Sequence, residues 1–103
     1  MIAAIILPHV RRAILDFLEQ IGGEQSDDTL SLLLNSVGHR VARRDVAEQL
    51  HWLGEQGLLE VEKLGDFTVA RVLPDGIDAA HGRLIIEGLG RHRTSRAGTA
   101  KVG

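Results

Sequence analysis

The stretch ARRDVAEQLHWLGEQGLLEVEKLGDFTVARVL, residues 42–73, decides the fold because two periodicities meet in it. On a helix advancing about 100° per residue, Val46, Leu50 and Leu53 fall within roughly 60° of one another. The spacing therefore predicts a helix from about Ala42 to Gln56 with these three as its buried stripe. Arg44, Glu48, His51 and Glu55 gather on the opposite side, Trp52 stands at the core's edge, and Gly57 supplies a stop. Period-two runs follow, LLEVEKL (58–64) and FTVARVL (67–73), separated by Gly65-Asp66. Glycine at the first central position suits a type II′ hairpin turn. Tight pairing sets Leu64 opposite Phe67, Val61 opposite Ala70 and Glu60 opposite Arg71. One face then carries Leu59, Val61, Ala70 and Val72, and the other a favourable Glu60–Arg71 pair.

Upstream, Val10, Ile14, Phe17, Leu18 and Ile21 repeat at helical spacing and stop at Gly22-Gly23. Two starts for this first helix stand open: ahead of Pro8, because residues 2–7 are apolar, or at Pro8 as a fresh first turn. Glu24 to Asp28 reads as a polar linker in which Ser26 or Asp27 accepts from the free N–H groups of a second helix. That helix places Leu30, Leu33, Leu34 and Val37 on one side and ends at Gly38, and His39-Arg40-Val41 forms a short turn. Downstream, Pro74 breaks the second strand and opens a short helix, Asp75 to His81. Leu84 to Ile86 remain apolar enough to dock.

A two-stranded hairpin buries little by itself, so it must pack on the helices. Two helices joined by a few residues match helix-turn-helix geometry, and the hairpin directly after them takes the place of a wing. The expected fold is an α+β winged helix-turn-helix: a three-helix core, a two-stranded β-hairpin wing and a short C-terminal helix. The domain spans residues 1–90. Residues 91–103, polar and aperiodic, read as a basic flexible tail.

Size and composition agree. The 103 residues suffice for one domain, and 44% of them are apolar, which argues against disorder. Cysteine is absent, removing disulfides and thiolate metal sites. With Phe17, Trp52 and Phe67 as the aromatics, the core must be built from aliphatic side chains. The apolar start precedes Arg11 and Arg12, the reverse of a secretory leader. No segment approaches the roughly 18 apolar residues of a membrane span. A soluble cytoplasmic protein is expected. Net charge is uneven: residues 1–90 carry 8 basic and 14 acidic side chains, whereas residues 91–103 carry Arg91, Arg93, Arg96 and Lys101 with no acid. Any basic footprint must be local.

Residues 37–59, VGHRVARRDVAEQLHWLGEQGLL, resemble the segment ending in WL-x-x-x-GL of ArsR-like winged-helix proteins. More closely, residues 11–96 resemble a family of small proteins encoded by Mu-like phages and prophages. The likeness is carried by Arg12 with Ile14-Leu15, Leu30 and Leu34, Gly38-His39, Trp52-Leu53, Gly57-Leu58, Leu73, Gly76 and Ala80-x-Gly82-Arg83. It implies a winged-helix fold, a phage or prophage context and, from the fold, DNA binding or transcriptional control. Two positions depart from the pattern. Ala42 replaces a capping serine, and Gly88-Leu89-Gly90-Arg91-His92 lacks the proline that commonly follows the basic pair.

Candidate DNA-binding residues are Arg40, Arg43, Arg44, Glu48, His51, Lys63, Arg91 and Arg93. Arg40 and Arg43 would meet phosphates at the N-terminus of the third helix. Arg44, Glu48 and His51 would lie nearest the base edges, with Glu48 able to accept from a cytosine amino group. Lys63 belongs to the wing; Arg91 and Arg93 would track a backbone or minor groove. In the plainer reading the arginines are solvated charge paired with Asp45 or Asp16. Glu60, Glu62 and Asp66 outnumber Lys63 and Arg71 across the wing, which opposes a simple phosphate grip. His9, His39, His51, His81 and His92 are scattered without a metal-binding pattern. No glycine loop cradles a phosphate, and Ser36 and His39 lack the companions of a triad. The sequence thus predicts no enzyme, cofactor, metal, small-molecule ligand or membrane contact. It predicts a winged-helix regulator on double-stranded DNA, acting as a homodimer; the alternative is a protein–protein adaptor on the same scaffold.

Overall fold

A computed structural model describes residues 2–91. A 3-10 turn, Ala4–Ile6, runs into α1, Leu7–Ile21, so Pro8 lies in the first turn, where its missing N–H costs nothing. α2 spans Asp27–Ser36, with Ser26 as the cap: its hydroxyl accepts from the Thr29 N–H at 3.1 Å. α3 spans Arg43–Glu55 behind Ala42, which makes no side-chain cap bond. β2, Leu59–Leu64, and β3, Phe67–Val72, form the hairpin, and α4 spans Pro74–Ala80.

The α+β winged-helix arrangement matches the expectation, and the hairpin register agrees at every pair, from Leu64 opposite Phe67 to Leu59 opposite Val72. Gly65 has φ +60° and Asp66 does not have positive φ, the combination a type II′ turn requires. Leu59 and Ala70 are buried, Val61 and Val72 pack against the core, and Glu60 pairs with Arg71.

The expected two-stranded sheet is corrected. The linker before α2 contributes a short strand, β1 (Gln25–Ser26), antiparallel to β3, so the sheet has three strands in the order β1-β3-β2. Two residues carry no readable alternation. What recruits them is the free edge of β3 passing beside the entrance to α2.

The core joins Val10, Ile14, Leu15 and Leu18 of α1 to Leu30 and Leu34 of α2 and to Val46, Leu50 and Leu53 of α3, all with no exposed surface. Val37, expected on the inner side of the second helix, is instead exposed, because α2 ends at Ser36 and the chain turns away. Gly76 of α4 lies so close to the hairpin that a Cβ would run into the Leu58 carbonyl oxygen and the Val72 side chain.

The segment after α4 docks although its proline is missing. Arg12 donates to the carbonyls of Ala79 and Gly90, each at 2.9 Å, and pairs with Asp16 at 3.5 Å. Arg11 donates to the Gly88 carbonyl at 3.0 Å and to Gln49 Oε1 at 2.8 Å, and its guanidinium lies 3.9 Å above the Trp52 ring. Burial lowers the Arg11 pKa; these acceptors and the ring face keep the cation favourable there. The Gly90 N–H closes the clamp on the Pro8 carbonyl at 2.9 Å. Leu89 is buried beneath it, and Leu84 and Ile86 pack at its edge.

Candidate nucleic-acid interface

The candidate interface is built on the helix-turn-helix formed by α2 and α3. Gly38 ends α2, with the His39 N–H donating to the Leu34 carbonyl at 2.9 Å. The Val41 carbonyl then accepts from Asn35 Nδ2 at 3.0 Å and from Ser31 Oγ at 3.2 Å. Two polar side chains of α2 therefore hold the turn and fix where α3 begins.

Burial of Val46, Leu50 and Leu53 turns the opposite stripe of α3 to solvent, and Arg44, Glu48, His51 and Glu55 lie on that stripe away from the core. Arg40 stands in the turn just before the helix. Arg40, Arg44, Glu48, His51 and Lys63 make no side-chain hydrogen bond or ion pair with any other described residue. Ala42 gives α3 no side-chain cap, and its first turn holds Asp45 beside Arg43 and Arg44.

Arg43 differs. Its Nε donates to Asp27 Oδ2 at 3.3 Å, its terminal nitrogen donates to the Asp66 carbonyl in the wing turn, and its guanidinium lies 4.7 Å from the Phe67 ring centroid. Its partner is therefore Asp27, and Asp16 pairs with Arg12. Asp27 is 3% exposed, and its second oxygen, Oδ1, has no hydrogen-bond partner among the described residues. Neither Asp27 as an ion-pair partner nor Phe67 as a ring partner was legible, because their meeting with Arg43 depends on the crossing of α2, α3 and the hairpin.

The register also sorts the wing's charges. Alternation along the strands puts Glu60, Glu62, Leu64, Phe67, Val69 and Arg71 on one face. Lys63 falls with Leu59, Val61, Thr68, Ala70 and Val72 on the other, the face that covers the helices. Lys63 is exposed near the tip, so the helix-facing side of β2 carries a cation while its two glutamates face away. Arg91 is exposed, beyond the docked segment; Arg93 and the rest of the expected flexible tail lie outside the described residues. Among the described residues no group of three or more histidine, aspartate or glutamate side chains is placed to hold a metal ion, and no helix is long and apolar enough to cross a membrane.

Compared with known proteins, the chain is 37% identical over 93 residues to the uncharacterized protein gp26 of Escherichia phage Mu, an alignment covering 90% of this chain and 97% of that protein. No family model matches the chain, and no solved structure matches it.

Proposed function

From the premise that the chain belongs to the family of phage Mu gp26, we propose that it is a winged-helix DNA-binding protein, a phage- or prophage-type transcriptional regulator of ArsR-like build. The observation that carries this reading is the outward-facing set of Arg40, Arg44, Glu48 and His51 on and before α3, whose side chains have no partner among the described residues. Cations at a helix N-terminus work against its dipole. A polyanion brought to that end turns the same arrangement favourable.

In the complex, α3 enters a major groove of double-stranded DNA. Arg44 and His51 donate to base edges and Glu48 accepts from cytosine. Arg40 and Arg43 flank the phosphate track at the helix start, Lys63 approaches from the wing, and Arg91 and Arg93 follow the backbone beyond the docked segment. One such module spans only a few base pairs, so the regulator acts as a homodimer on paired half-sites in the cytoplasm. Ile5 and Ile85, 84% and 72% exposed, are apolar surface for the second copy.

The test is a titration against random and native-context duplexes at several salt concentrations. Binding weakens with salt, and Arg40→Ala with Arg44→Ala lowers the slope of log affinity against log salt by about 1 for each phosphate no longer neutralised. Absence of binding at low salt overturns the proposal. It would favour a protein–protein adaptor, a reading supported by the outer wing face, where Leu64 and Phe67 are exposed beside Glu60 and Glu62.

A further inference from the structure

We propose that Arg43 is a positioning residue, a latch that draws the wing turn onto the start of α3 through Asp27, the Asp66 carbonyl and the Phe67 ring. The inference rests on the DNA-binding reading for its consequence, but the latch itself is a property of the free protein.

Three elements converge on this one guanidinium. Asp27 opens α2, Asp66 is in the wing turn and Phe67 opens β3. The planar fork of arginine donates in several fixed directions while its face lies against a ring, which a lysine ammonium does not reproduce. Placing a cation at the first residue of α3 is unfavourable in the helix field. Asp27 offsets that cost, and its dependence is mutual: Oδ1 has no partner among the described residues, so losing Arg43 leaves a buried carboxylate without its ion pair.

The wing needs such a tie. Residues 62–67 are all exposed, and among the described residues Arg43 is the side chain that hydrogen-bonds to the turn. A hairpin tip without core contacts opens easily. Holding it fixes where Lys63 stands relative to Arg44 and His51, so the ordering cost is met before DNA arrives.

The experiment compares wild type with Asp27→Asn, Arg43→Gln and Arg43→Lys by amide hydrogen exchange and by duplex titration. The latch predicts that cross-strand amides of residues 62–69 exchange about ten times faster in all three variants, while those of α1 do not change. In the titration, Asp27→Asn weakens binding several-fold although it removes a negative charge, and the salt slope stays at the wild-type value. A simple phosphate contact predicts the opposite: Asp27→Asn binds as well or better, Arg43→Lys binds normally, and Arg43→Gln lowers the slope by about 0.9. Unchanged wing exchange in Asp27→Asn and Arg43→Lys overturns the latch whether or not the protein binds DNA. Failure of the wild type to bind overturns the DNA reading and leaves the exchange result to decide the latch. Arg43→Lys, the mildest variant, keeps the test informative if Asp27→Asn does not fold.

Discussion

Arg11 and Arg12 on one side of the molecule, and Arg40 and Arg44 on the other, are the same residue in opposite circumstances. The α1 pair donates to three backbone carbonyls, to Gln49 and to Asp16, and stacks on Trp52. The pair around the start of α3 faces outward and bonds to no other described side chain. The difference teaches that arginine count carries little functional information until the acceptors are placed. The α1 arginines bind the end of α4 and the segment after it to the first helix. Among the described residues the α3 arginines have no partner to stabilise, and the DNA-binding proposal rests on that contrast.

The contrast can be broken most forcefully at Arg12. Its side chain is 12% exposed, and replacing it leaves the Ala79 and Gly90 carbonyls without their donor. At about 1.5 kcal/mol or more per hydrogen bond to a charged group, Arg12→Ala is expected to cost about 3 kcal/mol in urea denaturation. Duplex affinity of the folded fraction stays unchanged; a drop in affinity with stability intact would erase the division between the two sides. Arg11→Ala follows at about 2 kcal/mol, with a change in Trp52 fluorescence, and Arg11→Lys recovers little because the stacked fork is gone.

On the opposite side, Ala42→Ser supplies the missing cap of α3 and is expected to add about 1 kcal/mol, read as a rise in the urea midpoint. No gain would mean that the uncapped N–H groups already have partners. The smallest effect on stability belongs to Arg40→Ala and Arg44→Ala, within about 0.5 kcal/mol of wild type. A larger loss would show that these arginines hold the fold and would bring the two pairs together.

Much of the fold was legible because it depends on near neighbours in the chain. The 46/50/53 stripe, the Gly65-Asp66 turn and the hairpin register are local patterns, and the structure agrees with each. The strand at Gln25–Ser26 was not, since pairing with the edge of β3 needs no side-chain alternation. Gly76 stood out only by resemblance; its physical reason is the Leu58 carbonyl against which it packs. The candidate interface was half legible. Helical spacing identified Arg44, Glu48 and His51 as a shared stripe. The count of wing charges did not say which face each occupies; the register puts Glu60 and Glu62 on the face opposite Lys63.

The amino-acid order by itself determined which residues are helical, which pair across the hairpin and which stripe of α3 faces water, because periods of 3.6 and 2 act over a few residues. Only the packed chain decided that Arg43 turns to Asp27 and the wing while Arg40 and Arg44 remain outside, and that Arg11 and Arg12 close on residues 79–90. Those partners are separated by up to 78 positions. No local pattern encodes such a meeting; it follows from how helices of given lengths cross once their apolar faces are buried.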